Sequence, residues 1–375
     1  MGVALDRDAL YYPYIHIRDA NWLKATLLSF PQVRRIVPYD FSLNDLEEVK
    51  PFRTVKGARG EALLGDEPAY HVGVHQAQER LLKKLQACAP EQLDRFTLAR
   101  TQEAFPADPD GFQMHQGKMK PLLDFLCSRQ LAWPARRMAG GAPGEWYALH
   151  PQLGEVIMSL VAMAIAQEKQ LDIVTSSGRV HRALAHFDEE ALLASLFDDT
   201  AAGTKPQTSG AEMADELCQV VMLTTFDVSK LSAQDIANLQ KDGQDIRRFK
   251  SEILKIASTI PDISDAGERD KRLKQAAGEV VSQWEKYRRS LPRFAMDALV
   301  QSTKWKPPEI VTVLLAGATS SFVLASGAGV LIGLGIYAGF SIWRGYKEKT
   351  SSPYQYLTQI QSAGAAVSPR PVLAH

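Results

Sequence analysis

The sequence predicts an α/β or α+β N-terminal domain followed by an α-helical C-terminal domain that carries a glycine-rich apolar helical hairpin. Three observations predict it: a strand, helix, strand pattern within the first 38 residues, helical periodicity from Ser232 to Leu291, and 34 consecutive residues without a charged side chain at 310–343.

Leu10 to Ile17 is rich in Tyr and Ile and reads as a strand, with Pro13 placing it at a sheet edge or strand start because proline has no N–H to give to a ladder. Asp19 can cap the helix that follows, since its carboxylate accepts the first unpaired N–H groups. In that helix Trp22, Leu23, Leu27 and Phe30 recur at helical spacing. Val33 to Val37 supplies the second short strand, closed by Pro38.

Tyr70 to Ala89 is helical in pattern, with Leu81, Leu82 and Leu85 on one face, and the polar stretch from there to Pro109 reads as loop. Lys118 to Arg129 forms another helix, ended by the region of Pro134, Gly140 and Gly141. Leu153 to Gln167 is apolar on most sides and predicts a buried helix. It leads into a short strand, Leu171 to Thr175, and a tight turn of Ser176, Ser177 and Gly178. Helix, apolar strand and small-residue turn again indicate α/β.

A polar, small-residue stretch at Asp198 to Gly210 marks a boundary. A chain of 375 residues exceeds one average core. The expected layout is an α/β domain over 1–200, a helical domain over 211–300, the apolar segment over 307–346, and a short helix with a flexible tail over 347–375. In the helical domain Ser232 and Asp235 form a capping box. Ile236, Leu239, Ile246, Phe249, Ile253, Ile256 and Ile260 then repeat at helical spacing. Beyond Pro261, Leu273, Ala277, Val280, Trp284, Tyr287 and Leu291 do the same, which predicts two antiparallel amphipathic helices. The 13 basic and 9 acidic residues between Lys241 and Arg293 read as their solvated face.

The segment 310–343 is longer than the roughly 20 helical residues a bilayer core needs. Lys304, Trp305 and Lys306 precede it, and Trp343, Arg344, Tyr346 and Lys347 follow it, the aromatic and basic flanking expected at headgroups. One straight helix of that length would reach about 51 Å at 1.5 Å per residue. It must therefore bend, at Ser320 and Ser321 or at Ser326 and Gly327, or tilt. Gly329 with Gly333 and Gly335 with Gly339 are two GxxxG pairs, a spacing that lets helices approach closely in lipid. The competing expectation is a hairpin buried in the protein's own core or in a subunit interface.

The 43 basic and 43 acidic side chains cancel, so no global field gathers nucleic acid. Cys88, Cys127 and Cys218 are odd in number and far apart, which excludes a disulfide scaffold and a cysteine zinc site and fits a reducing compartment. Charges in the N-terminal stretch argue against a secretion signal, and Asp6 stands where myristoylation wants Ser or Thr. The expected location is the cytoplasm, with inner-membrane association through the apolar segment.

Motifs for nucleotide binding, zinc hydrolysis or a nucleophile elbow are missing, so no cofactor and no metal are expected. His71, His75 and Glu79 share a helix face, a spacing that a solvated surface explains equally well. His16 and Asp19 fall at a strand end, where α/β domains place functional groups. Asp19 and Asp172 are the carboxylates a metal-dependent nuclease would use, and His16, Asp19 and Asp172 are the candidate catalytic residues. Ser176 and Ser177 have no identifiable base.

Four stretches, LYYPYIHIRDANWLKATLLSFPQVRRIVP, HPQLGEVIMSLVAMAIAQEKQLDIVT, LSAQDIANLQKDGQDIRRFKSEI and SPYQYL, together resemble a bacterial family of unknown function with a YYP, IRD, WLK opening. The resemblance implies an α/β N-terminal part, a helical C-terminal part, an apolar Ala/Gly stretch before the final YL, and no established activity. Such sequences carry Thr-Asp where this chain has Thr175 and Ser176, which weakens a metal carboxylate there of the kind used by PIN-like nucleases. The expected function is that of a non-catalytic, membrane-associated protein, a stress or phage-defence effector with lipid and a protein partner or further copies of itself as partners. A PIN-like nuclease and a soluble scaffold are the alternatives.

Overall fold

The structure, a computed structural model, describes residues 7–97 (13 and 40 excepted), 112–135, 145–175, 192, 196, 210–260 (242 excepted), 266–290 and 352–367. The apolar segment 310–343 and its flanks lie outside the described residues. Contacts divide the chain into two units, one holding Asp6–Leu23 and Phe30–Glu212, the other Lys24–Ser29 and the chain from Met213 on.

The first unit holds β1 (Ala9–Tyr11) and β2 (Val33–Val37), and the helix between them, α1 (Ala20–Leu27), belongs to the second unit from Lys24 on. Asp19 caps α1 as its position predicts: its Oδ1 accepts the N–H groups of Asn21 at 2.8 Å and Trp22 at 3.1 Å. The first strand is shorter than the expected Leu10 to Ile17. Its last ladder bond runs from the Tyr12 N–H to the Val174 carbonyl at 3.0 Å, and the next residue in sequence is a proline with no N–H to donate. Ile15 and Ile17 are buried outside the ladder.

Two more strands complete a parallel sheet in the order β3-β2-β1-β7, with β3 (Leu64–Pro68) on β2 and β7 (Asp172–Val174) on β1. A second, antiparallel sheet has the order β4-β6-β5, from β4 (Phe112–His115), β5 (Ala132–Pro134) and β6 (Trp146–Leu149). Helices α2 (Val72–Ala87), α4 (Lys120–Ser128) and α5 (Pro151–Lys169) pack around these sheets. The stretch expected to be loop up to Pro109 contains α3 (Pro90–Asp94), started by a proline in the first turn and by the Gln92 side chain, which accepts the Ala89 N–H at 3.1 Å.

Helix α5 is buried on most sides, as its apolar run predicts: Leu153, Val156, Ile157, Leu160, Val161 and Ile165 are all in the core. Each such side chain contributes about 1.5–3 kcal/mol by leaving water. The Ser159 hydroxyl lies 2.7 Å from the Tyr12 hydroxyl, tying the helix to the chain that leaves β1. Gly154 sets how closely α5 approaches β4. A Cβ there would lie 2.4 Å from the Phe112 ring and 2.6 Å from the Phe112 Cβ, an atom no rotamer change can move away. Gly154→Ala is therefore expected to cost about 1–3 kcal/mol, read as a lower urea midpoint. An unchanged midpoint would show that β4 shifts freely on α5.

The second unit contains α6 (Gly210–Thr225), β8 (Phe226–Asp227), α7 (Ala233–Lys241), α8 (Gly243–Ala257), α9 (Ala266–Ser290), α10 (Gln355–Ser362) and β9 (Ala366–Val367). The capping box forms reciprocally: Asp235 N–H donates to Ser232 Oγ at 3.2 Å and Ser232 N–H to Asp235 Oδ2 at 2.9 Å. The periodic run from Ile236 to Ile260 is two helices, α7 and α8, and the second begins at Gly243, a residue that weakens a helix interior. The unit is not purely helical either, because β8 and β9 pair antiparallel. Among the described residues no helix is long and apolar enough to cross a membrane.

Candidate functional site

A parallel sheet in which β2 and β3 extend to one side of β1, and β7 lies on the other, has its switch point between β1 and β7. Ligands of open α/β sheets bind beyond the carboxyl ends of the strands at such a point. The described residues delivered there are Tyr14 to Asp19 after β1, Pro38, Tyr39 and Phe41 after β2, Ala69 to His71 after β3, and Thr175 after β7. Tyr39 and Tyr70 are almost wholly exposed at 98% and 74%, although they follow the ends of two neighbouring strands.

Alternation along β2 and β3 sends consecutive charged residues to opposite faces. On one face Arg35, fully buried, holds Asp45 by both carboxylate oxygens, Nη1 on Oδ1 and Nη2 on Oδ2 at 2.8 Å, and donates from Nε to Asp66 at 2.8 Å. Arg53 adds a contact of 3.2 Å to Asp66 and one of 3.8 Å to Asp45. Burial alone would push the Asp45 carboxyl up, but His16 and Arg35 outweigh it and hold the group well below the usual carboxylate range. The His16 imidazole stands 3.6 Å from Asp45, beyond hydrogen-bond reach, and its ring packs against Phe41.

On the other face Arg34 contacts Glu67 at 3.1 Å and Asp8 at 3.3 Å. Burial raises the Asp8 carboxyl despite the neighbouring Arg59 and Arg34. Glu67 in turn meets His71 Nε2 at 3.2 Å, and His71 Nδ1 lies 3.1 Å from Glu168. His71 thus ties β3 to the end of α5.

Beside the sheet edge, Phe41, His115 and Trp146 form an edge-on aromatic cluster with ring centroids 5.5 to 5.9 Å apart. His115 Nδ1 accepts the Gly117 N–H at 3.2 Å, and its Nε2 lies 3.7 Å from Glu145. One polar group here is unspent: the buried Trp146 indole N–H has no hydrogen-bond partner among the described residues. The turn after His115 ends at Lys118, a buried lysine for which no ion pair with a carboxylate is formed among the described residues. Burial lowers Lys118 to about 7. A buried amine poised near neutrality can take or give a proton, or act as a nucleophile.

The candidate catalytic residues are not brought together. Asp172 stands opposite Ala9 at the start of β7, 3.4 Å from Arg7, whereas Asp19 lies past the far end of β1 with its Oδ1 committed to α1. His16 reaches the sheet edge but faces Asp45 rather than Asp19. His71 and His75 diverge as well, His75 pairing with Glu79 at 3.1 Å. Among the described residues no three His, Cys, Asp or Glu side chains form a group able to hold a metal. Ser176 and Ser177 lie outside the described residues, as do the expected membrane residues Trp305, Gly329, Gly333, Gly335, Gly339, Trp343 and Arg344. Sequence reasoning missed Arg35, Asp45 and Lys118, because pairing partners and burial are set by register and not by local pattern.

No family model, curated protein or solved structure matches the chain.

Proposed function

We propose that the chain is a non-catalytic, membrane-associated bacterial protein of the stress or phage-defence effector type. Its folded units carry the glycine-rich segment 310–343 to the inner membrane, and association of several copies through that segment perturbs the bilayer. The observation that carries this reading is the run of 34 residues without a charge, bounded by Trp305 with Lys304 and Lys306 on one side and by Trp343 with Arg344 and Lys347 on the other. Gly329, Gly333, Gly335 and Gly339 support self-association, because GxxxG spacing brings helix backbones together in lipid, where packing drives assembly. The two carboxylates a nuclease would use lie at opposite ends of the parallel strands, Asp19 capping α1 beyond β1 and Asp172 at the start of β7, so they share no site.

The test compares the full chain with a chain lacking 310–343. The full chain is expected to float with phosphatidylglycerol-containing vesicles and to leak a trapped dye, and the shortened chain to do neither. If the full chain purifies without detergent, ignores vesicles and matches the shortened chain in expression toxicity, the reading is replaced by that of a soluble scaffold.

A further inference from the structure

Apolar side chains left in water gather at one edge of the first unit. Among the described residues the large hydrophobic side chains that stay exposed are Tyr39, Leu46, Tyr70, Val72 and Leu223, and three of these five, Tyr39, Tyr70 and Val72, follow the carboxyl ends of β2 and β3. Exposed apolar groups collected in one place mark a surface with a partner. The register brings these together. Val37 pairs with Pro68, and the ladder ends with the Ala69 N–H donating to the Val37 carbonyl at 3.1 Å, so Tyr39 and Tyr70 each follow the same rung by two residues. Tyr11 pairs with Arg35, which puts Tyr14 within one residue of their level where the chain leaves β1. Adjacent strands lie about 4.8 Å apart. Three tyrosines therefore leave three neighbouring strands at one edge of the sheet.

These side chains do little for folding. A ring as exposed as that of Tyr39 or Tyr70 gains almost nothing from burial. Arg18, also exposed, sets its guanidinium 3.7 Å over the Tyr14 ring and forms no ion pair among the described residues. Its neighbour Asp19 is committed to the α1 cap. A partner for this edge must offer flat rings to the tyrosine faces and an anion to the guanidinium. A nucleotide unit offers both, a base that stacks whatever its identity and a phosphate that suits arginine. Small ligands are enclosed over most of their surface, whereas rings that stand this far into solvent form an open platform. Such a platform suits an extended strand whose successive bases stack side by side, and not a duplex, which hides its base faces.

We propose that the carboxyl edge of the parallel sheet binds single-stranded nucleic acid, with bases stacking on Tyr39 and Tyr70 and a phosphate meeting Arg18. The 43 basic and 43 acidic side chains of the chain cancel and leave little long-range attraction. Stacking thus carries most of the affinity, and salt weakens binding only slightly. Binding at this edge does not depend on the membrane reading above.

The test titrates labelled single strands of about 12 nucleotides, as RNA and as DNA of mixed sequence, with the full chain and follows fluorescence anisotropy. The wild type is expected to bind both. Tyr39→Ser and Tyr70→Ser should each weaken binding about tenfold or more, with the urea midpoint unchanged because an exposed ring holds nothing in place. Arg18→Gln should lower the slope of log affinity against log salt by about 0.7, the share of one phosphate contact on a single strand, while the tyrosine variants leave that slope alone. Strand binding at this edge is overturned if no strand binds at low salt, if the tyrosine variants bind as tightly as the wild type, or if a duplex of the same sequence binds as well as the strand. Competition by AMP mole for mole with the strand would assign the edge to a free nucleotide instead. Tyrosine variants that keep strand binding and float less with phosphatidylglycerol vesicles would assign it to lipid. Flotation of the wild-type chain is read separately, so a failure to bind strands leaves the membrane reading standing.

Discussion

Arg35→Met is expected to lower the free energy of unfolding by about 3–5 kcal/mol, the cost typical of leaving one member of a buried ion pair without its partner. Arg35 and the Asp45 side chain are exposed by 0% and 1%, and the guanidinium meets both oxygens of that carboxylate. Without it, Asp45 retains only His16 at 3.6 Å and Arg53 at 3.8 Å. The double variant Arg35→Met, Asp45→Leu is expected to recover most of the loss, since it leaves no charge stranded, and Asp66 keeps Arg53 at 3.2 Å. Urea unfolding of the wild type, both single variants and the double variant measures the coupling. The pH arm has a definite sign. Asp45 is held below its unfolded value, so its contribution is present above the ordinary carboxylate range near pH 4 and fades as pH falls through the folded value. Arg35→Met should flatten that acid-side loss. A single variant as stable as wild type, with an unchanged acid slope, would show that the pair contributes nothing.

How much of this was legible in the sequence depended on how local the determinant was. Asp19 and the Ser232 and Asp235 pair act within one helical turn, and both caps form where their spacing put them. The apolar run of α5 and the short strand after it were equally readable, because burial on most sides needs only a local surplus of apolar residues. Strand β3 was invisible. Its sequence, Leu-Gly-Asp-Glu-Pro, has almost no strand propensity, and it pairs only because β2 offers a free edge and its proline sits at the last position of an edge strand. The antiparallel sheet of β4, β5 and β6 was hidden for a similar reason, with three or four residues per strand and partners far apart in sequence. The candidate site suffered most. Arg34 and Arg35 are adjacent in sequence yet serve separate charge networks on opposite faces, and only the register of β2 with β3 shows which acid each one meets.

Lys118→Met is expected to stabilise the fold, and the gain should depend on pH in one direction. Burial without a counter-charge lowers this amine from 10.5 to about 7, a ceiling on the order of 4–5 kcal/mol at about 1.36 kcal/mol per unit. Between those two values the unfolded chain binds a proton that the folded chain does not, so wild-type stability rises with pH across the window and levels off below it. The methionine variant fits an unbranched apolar chain into the same space and removes the titration. Its advantage should therefore be greatest at pH 7 and below and vanish toward pH 10.5. Urea midpoints taken across that range would decide it, and a wild type with no slope between pH 7 and 10 would show that the amine reaches water or a partner. A penalty of this size is retained in a folded chain where the group serves something other than folding. Lys118 sits in the turn that follows His115, whose ring packs on Trp146, a residue whose indole N–H is unspent among the described residues. If the variant gains stability and still floats with vesicles, the amine belongs to a separate task of the first unit. If it gains stability and loses vesicle binding, that task and the membrane segment are coupled.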